Sequence, residues 1–469
     1  MNPILEKALA HSPYWARVAT QPPSSWHPAL TTCPITAGEI RDLMATPEIA
    51  DESALWQRLR QIRQHVILNT VARDLAGMAR LDEVVRTVSS LADESVRFAL
   101  TWLTASPGSV YGTPMGEDSG CAQQLIVVGM GKLGGEELNV SSDIDLIFLY
   151  PEEGMTQGPK SISNHEYFTR LGRKLIAALS ESTAEGMVFR VDMRLRPYGD
   201  SGPLVASFAM LENYLHTQGR EWERYAWLKA RAITGSDAKV LEHEVAPFVF
   251  RRHLDYSAID SLRTLHSQIR EEAKRRDIAD NIKLGPGGIR EIEFIAQVFQ
   301  LIRGGQDPAL RTRSTRLALT LLADKQLLPA VVVDELQAAY EFLRNLEHRL
   351  QYVEDQQTQT LPTQPAALRN IAASMGYEDS EGFLGVLNAH RENVSRHFEG
   401  IFANGGRSEQ HPVANLWEGR LAAQDALARL HELGYTNGER VLTRIGQLRE
   451  SALFRRMSAS TQGRLDALG

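Results

Sequence analysis

The chain has 469 residues, 43% hydrophobic and 23% charged, with 51 basic against 58 acidic side chains and a formal net charge of −7. That composition suits a globular protein of about two to four domains and gives no general electrostatic drive toward nucleic acid. Only two cysteines, Cys33 and Cys121, are present, which excludes a disulfide scaffold and a Cys-rich zinc site and fits a reducing cytosol.

Residues 1 to about 35 carry Pro13, Pro22, Pro23, Pro28 and Pro34 and read as an irregular arm with a short helix. No basic stretch followed by an apolar core opens the chain, so no signal peptide is expected. From about Gly38 to Thr104 the pattern is helical, with Leu55, Leu59, Ile62, Val66 and Val71 at three-to-five-residue steps. A Gly-, Ser- and Pro-rich loop follows, Ser106 to Gly120. The period then changes. Gln124 to Val128 predicts a strand, Gly129 to Gly135 a glycine-rich turn, Asp143 to Tyr150 a second strand, about His165 to Glu181 a helix, and Met187 to Leu195 a third strand. The longest apolar runs, such as Leu125 to Val128, are strand-sized, far below the roughly 20 residues of a spanning helix, so no membrane partner is expected and a cytoplasmic location is. After about Asp237 the chain reads helical to its end, with Leu262, Leu265 and Ile269 on one face and Leu336, Tyr340, Leu343 and Leu350 on another. The predicted divisions are an N-terminal arm and helices (1–115), an α/β core (116–236), a helical domain (237–440) and a helical connector (441–469).

Asp143-Ile144-Asp145 is the most informative stretch. Side chains alternate along a strand, so the two carboxylates share one side, about 7 Å apart. Such a pair is tolerable when hydrated at an edge or when a divalent cation lies between them; hard Mg²⁺ takes oxygen ligands of this kind together with phosphates. The third strand alternates too: Arg190, Asp192, Arg194 and Arg196 are expected on one face, a carboxylate among guanidiniums that suits metal and phosphate oxygens or a solvated salt-bridged surface.

Gly129-Met-Gly-Lys-Leu-Gly has the Gly-x-Gly-x-x-Gly spacing of a dinucleotide fold. That fold needs a crossover helix and an acidic residue ~20 positions on, yet the next strand starts about eight residues after Gly135. Gly131-Lys132 is followed by Leu133, which excludes a Walker A loop. A turn whose backbone can approach phosphate, followed by the Asp-x-Asp strand, fits better. Eleven residues separate Gly131 from Asp143. This layout, with a third Asp on a later strand, resembles the nucleotidyltransferase superfamily related to DNA polymerase β.

The resemblance goes further. Val128 to Phe148, Arg190 to Leu204, Glu221 to Arg231 and Lys283 to Phe294 resemble the signatures of the bacterial bifunctional glutamine synthetase adenylyltransferase/adenylyl-removing enzymes. The resemblance implies an α+β fold, a DNA polymerase β-like core with a small mixed or antiparallel sheet, flanked by a mostly helical N-terminal segment and a helical C-terminal domain. Members of that family carry two nucleotidyltransferase halves around a regulatory region. The N-terminal half removes AMP from a glutamine synthetase tyrosine by phosphorolysis, releasing ADP, and the C-terminal half adds AMP from ATP. One motif copy, placed as in the N-terminal half, implies the adenylyl-removing activity. Met457 to Leu468 resembles the connector toward the missing region.

By the same resemblance Asp143, Asp145 and Asp192 are the expected catalytic residues and the ligands of two Mg²⁺ (or Mn²⁺) ions. Gly131, Lys132, Ser142, Arg194 and Arg196 are the candidates for nucleotide phosphates and orthophosphate. Lys229 and Arg231 are candidates for the incoming phosphate or simple surface charges. Gly285-Pro-Gly-Gly before a helix at about Ile289 to Ile302 is either an anion site or a tight turn. The expected partners are glutamine synthetase, the PII signal protein and the missing half. Two other readings stay open: ATP-dependent adenylylation, and a non-catalytic module that binds PII or the synthetase.

Overall fold

The computed structural model describes residues 3–20, 30–45, 49–105, 110–236, 238–251, 280–403, 423–432 and 437–450. The helical face expected at Leu262, Leu265 and Ile269, the prolines at 22, 23 and 28, and the connector beyond residue 450 lie outside them. Two compact units are present, residues 1–395 and 396–469. No helix among the described residues is long and apolar enough to cross a membrane.

The first unit is α+β, as expected: a small mixed sheet with helices before and after it. Strands β1 (Thr113–Pro114) and β4 (Thr156–Gln157) form a separate antiparallel pair. The main sheet is built on β3 (Ile144–Tyr150), which is buried along its length except at Asp145. Strand β2 (Ile126–Gly129) pairs with it antiparallel, with Val128 opposite Ile147, and β7 (Arg231–Ala232) adds antiparallel to β2. The other edge of β3 carries two short parallel strands in succession, β5 (Val191–Asp192) and β6 (Val205–Ser207).

The third strand is therefore much shorter than its alternating sequence predicts. Asp192 explains the stop. Its Oδ1 accepts the backbone N–H of Arg194 at 2.8 Å, a local bond that competes with the ladder and turns the chain. The face that Arg190, Asp192, Arg194 and Arg196 were expected to share ends at this turn.

Two long helices, Glu52–Leu75 and Leu81–Ala105, lie in one hydrophobic core with the sheet and with the helix Asn164–Ser180. Glu52–Leu75 starts at Asp51, whose carboxylate accepts from Ala54 N at 2.8 Å, a normal N-cap. It is buried nearly all round, so its polar residues need internal partners. Arg60, fully buried, donates to the carbonyls of Ala178, Glu181 and Gly186 and so caps the far end of Asn164–Ser180. Asp74 accepts from both terminal nitrogens of Arg349 and from the Tyr352 hydroxyl at 2.6 Å.

Arg349 and Tyr352 belong to the helix Ala330–Tyr352, whose Leu336, Tyr340, Leu343 and Leu350 are buried as the sequence pattern predicts. The same helix also buries Arg344, Glu347, His348 and Gln351. Arg344 donates to the Glu137 carbonyl at 2.6 Å and to Asn139 Oδ1; His348 Nε2 donates to that oxygen at 3.1 Å. These bonds fasten the segment leading into β3.

In the second unit, helices Ala423–Glu432 and Gly438–Glu450 pack through Ala426 and Leu430 against Val441 and Leu442.

Burial pushes the His348 imidazole below its ordinary value, against the pull of Asp74. A histidine kept neutral in the fold but free to protonate when unfolded removes stability as pH falls below its unfolded value of about 6.5. Thermal unfolding should therefore show wild type losing more stability between pH 7.5 and 5.5 than His348→Gln, which should be less stable at pH 7.5 but have the flatter profile.

Candidate active site

The open end of β3 carries the carboxylates. Asp143 immediately precedes the strand, Asp145 is its second residue, and the register sets Asp145 beside Asp192 on β5. The structure thus brings the three predicted aspartates together at one edge. Asp145 is pushed up to about 6, by burial first and then by the charges of Asp192 and Asp143; Lys283 and Arg194 pull it back. Like charges converge here without full compensation.

Each flanking carboxylate is held by an arginine. Arg190 Nε donates to Asp143 Oδ1 at 2.5 Å, and the same guanidinium reaches the Ser141 carbonyl. Arg194 donates through Nη2 and Nε to Asp192 Oδ2 at 2.5 and 2.9 Å. Those hydrogen bonds, acting against burial, hold the Asp192 carboxyl below its usual range. Among the described residues no three His, Cys, Asp or Glu side chains are already gathered as a metal site; the arginines occupy the oxygens that would converge. The donor chemistry nevertheless fits a hard divalent cation: Asp145 is raised by the charges of Asp192 and Asp143, a repulsion that a cation held by the three carboxylates would relieve.

The glycine turn lies against this edge. Met130 N donates to the Asp145 carbonyl at 2.9 Å, and a single helical turn follows, Gly131–Gly134. Gly131 has φ +52°, and a Cβ there would sit 3.2 Å from Asp145 Oδ2. Glycine suits the left-handed dihedral, and a side chain there would press on the Asp145 carboxylate. Gly134 is needed for packing alone: a Cβ would lie 1.9 Å from the Lys229 carbonyl.

Lys132 faces away from solvent. Its Nζ donates to both oxygens of Glu347, at 3.0 and 2.9 Å, and so ties the turn to the helix Ala330–Tyr352. Burial alone would raise Glu347; the charges of Lys132 and Arg344 overcome it and hold the carboxyl far below its ordinary range. Ser142 is buried beside Asp143, after Ser141, whose hydroxyl donates to Asp355 at 2.6 Å. Arg194 is largely exposed. Arg196 is mostly buried, donating to Met193 O at 2.8 Å, and its Nε has no partner among the described residues.

Lys229 and Arg231 are neither phosphate ligands nor surface charges here. Lys229 Nζ, buried, bonds Glu137 at 2.6 Å and Thr315 at 2.9 Å. Arg231 makes a bidentate pair with Asp93 at 2.7 and 3.0 Å. The turn at Gly285–Gly288 is likewise no open anion site. The first N–H groups of the helix Ile289–Arg303 are spent within it: Ile289 donates to Ile282 O and Arg290 to Lys283 O, both at 3.1 Å. Sequence reasoning overlooked Lys283, whose charge reaches Asp145, and the buried Arg344, Glu347 and Gln351. The spacing of Tyr340, Arg344, Glu347 and Gln351 was the available signal, since it places polar groups on the buried stripe of that helix.

The family model described as Glutamate-ammonia ligase adenylyltransferase matches residues 1–246. The chain belongs to that family. A second model, GlnD PII-uridylyltransferase, matches residues 263–402. Among similar curated proteins, the Chromobacterium violaceum bifunctional glutamine synthetase adenylyltransferase/adenylyl-removing enzyme is 57% identical, over 93% of this chain and 48% of the relative. Proteins of the same name from Nitrosomonas europaea and Neisseria meningitidis serogroup A are 50% and 48% identical, over 98% and 89% of this chain and 51% and 47% of the relatives. The chain thus spans about half the length of the curated relatives it matches.

Removing Lys132 leaves a buried carboxylate without its main counter-charge, which costs about 3–5 kcal/mol. Urea denaturation of Lys132→Met should show a loss of that order. Gly131→Ala should keep most of the stability yet weaken Mn²⁺ binding, read by electron paramagnetic resonance, because the new methyl crowds Asp145.

Proposed function

We propose that this chain removes AMP from adenylylated glutamine synthetase by phosphorolysis, regenerating the tyrosine and releasing ADP. The observation that carries the reading is the convergence of Asp143, Asp145 and Asp192 at one sheet edge, with Asp145 raised by its neighbours. The choice of removal over addition rests on the resemblance of the single motif copy to the N-terminal half of such enzymes. A match of the helical part to PII-uridylyltransferases supports the PII protein as a partner that acts through that part.

In the proposed reaction an orthophosphate oxygen attacks the phosphorus of the tyrosyl-AMP. A new P–O bond forms, the bond to the phenolic oxygen breaks, and the phenolate takes a proton from water. A phenol of pKa near 10 leaves without a dedicated strong acid. Asp143, Asp145 and Asp192 would hold two Mg²⁺ or Mn²⁺ ions, which supply positive charge to the entering and leaving oxygens. Arg194, exposed, turns from Asp192 to phosphate oxygens, and Arg196, whose charge already acts on Asp192, adds positive charge beside them. Gly131 leaves space for phosphate beside Asp145, with Ser142 at the neighbouring wall. Preorganised charge of this kind supplies most of the stabilisation in phosphoryl transfer.

The test is to incubate the chain with AMP-modified synthetase, Mg²⁺ and orthophosphate and to assay ADP. Phosphate-dependent ADP is expected from wild type, with a loss of at least about 100-fold in Asp143→Asn/Asp145→Asn, the scale of removing a main electrostatic stabiliser. Pyrophosphate release from ATP and unmodified synthetase, without ADP formation in the first assay, would replace removal by addition. Synthetase binding with neither product would replace both by a regulatory module.

A further inference from the structure

Most cations around the glycine turn are consumed by the fold. Lys132, Lys229, Arg231 and Arg344 each hold a buried protein partner. Lys283 is different. It is half-buried, its charge stabilises the carboxylates of Asp145 and Glu347 and opposes that of Lys132, yet its ammonium makes no hydrogen bond or ion pair among the described residues.

The backbone that carries it is fixed from several sides. Asn281 Oδ1 accepts from Lys283 N at 3.0 Å and Leu284 N at 2.8 Å. Lys283 O accepts from Arg290 N at 3.1 Å, and Ile282 N donates to Gln359 O at 2.9 Å. Ile282 is fully buried. The glycines serve this same placement. Gly287 has φ +69° and a Cβ there would meet Arg391 O at 2.1 Å; a Cβ on Gly288 would lie 2.7 Å from Lys283 O. A turn pinned at these points thus carries an ammonium that has no hydrogen bond or ion pair among the described residues and whose charge acts on Asp145, 138 positions earlier in the sequence (283 − 145).

We propose that Lys283 is a substrate-binding residue of this site, its ammonium donating to a phosphate oxygen of the nucleotide or of the attacking orthophosphate above the Asp143, Asp145 and Asp192 edge. The proposal rests on the nucleotidyl-transfer reading given above. A role in merely neutralising Asp145 would be met by a direct ion pair, which the structure does not form. A point charge with rotatable donors is the lysine mode of phosphate binding.

The test is calorimetric titration of ADP and of AMP into the whole chain with Mn²⁺, for wild type, Lys283→Met and Lys283→Arg, beside their melting temperatures. Lys283→Met should bind ADP at least about tenfold more weakly, the size of one lost charge-assisted hydrogen bond. Lys283→Arg should recover most of that loss, and all three proteins should melt alike. Weakening of ADP with AMP unchanged assigns the contact to the phosphate that orthophosphate supplies; equal weakening of both assigns it to the phosphate of AMP. Either result supports the proposal. Wild-type ADP affinity in Lys283→Met overturns it while leaving the proposed reaction intact. A lowered melting temperature that accounts for the binding loss, without recovery in Lys283→Arg, overturns it in favour of a structural role. A wild-type chain that binds neither nucleotide overturns the nucleotidyl-transfer reading itself, and the role of Lys283 with it.

Discussion

The segment from Lys132 to Asp143 is tied at several points to the helix Ala330–Tyr352. Lys132 is tied to Glu347, the Glu137 carbonyl and Asn139 to Arg344, and the Ser141 N–H to Gln351 at 3.3 Å. Glu137 adds a second anchor, taking Lys229 and the Thr315 N–H at 2.6 Å each. Buried ion pairs contribute little net stability compared with apolar packing, but losing one partner is costly. Their effect here is to select a single path for a short loop that has few apolar residues to select it. That path decides where Asp143 enters β3, and so where the carboxylate edge is.

Much of this edge was legible in the sequence. Alternation along Asp143 to Tyr150 gave the strand and its two aspartates, and the shortness of the Gly135-to-Asp143 interval argued against a crossover helix. The third strand misled, because alternation continues through Leu195 while the Asp192 side chain ends the ladder by capturing the Arg194 N–H. Periodicity describes which faces side chains would take; it is blind to a side chain that bonds its own backbone.

The cations near the site were the hardest to read. Lys132 finds its carboxylate 215 positions away and Lys229 finds its own 92 positions away. No local pattern distinguishes a lysine that meets phosphate from one that meets a distant glutamate. The glycine signature at 285–288 was ambiguous for a related reason: glycines before a helix serve an anion or a close backbone approach equally well, and the hydrogen bonds of Ile289 and Arg290 settle it for the backbone.

The three aspartates are not mounted alike. Asp145 stands on a strand of seven residues with neighbours on both sides, while Asp192 stands on a ladder two residues long, followed at once by a turn. Local opening free energies follow such differences in pairing and burial. Two backbone pairs, Ile144 with Val191 and Asp145 with Asp192, therefore set the spacing of the carboxylates across the edge.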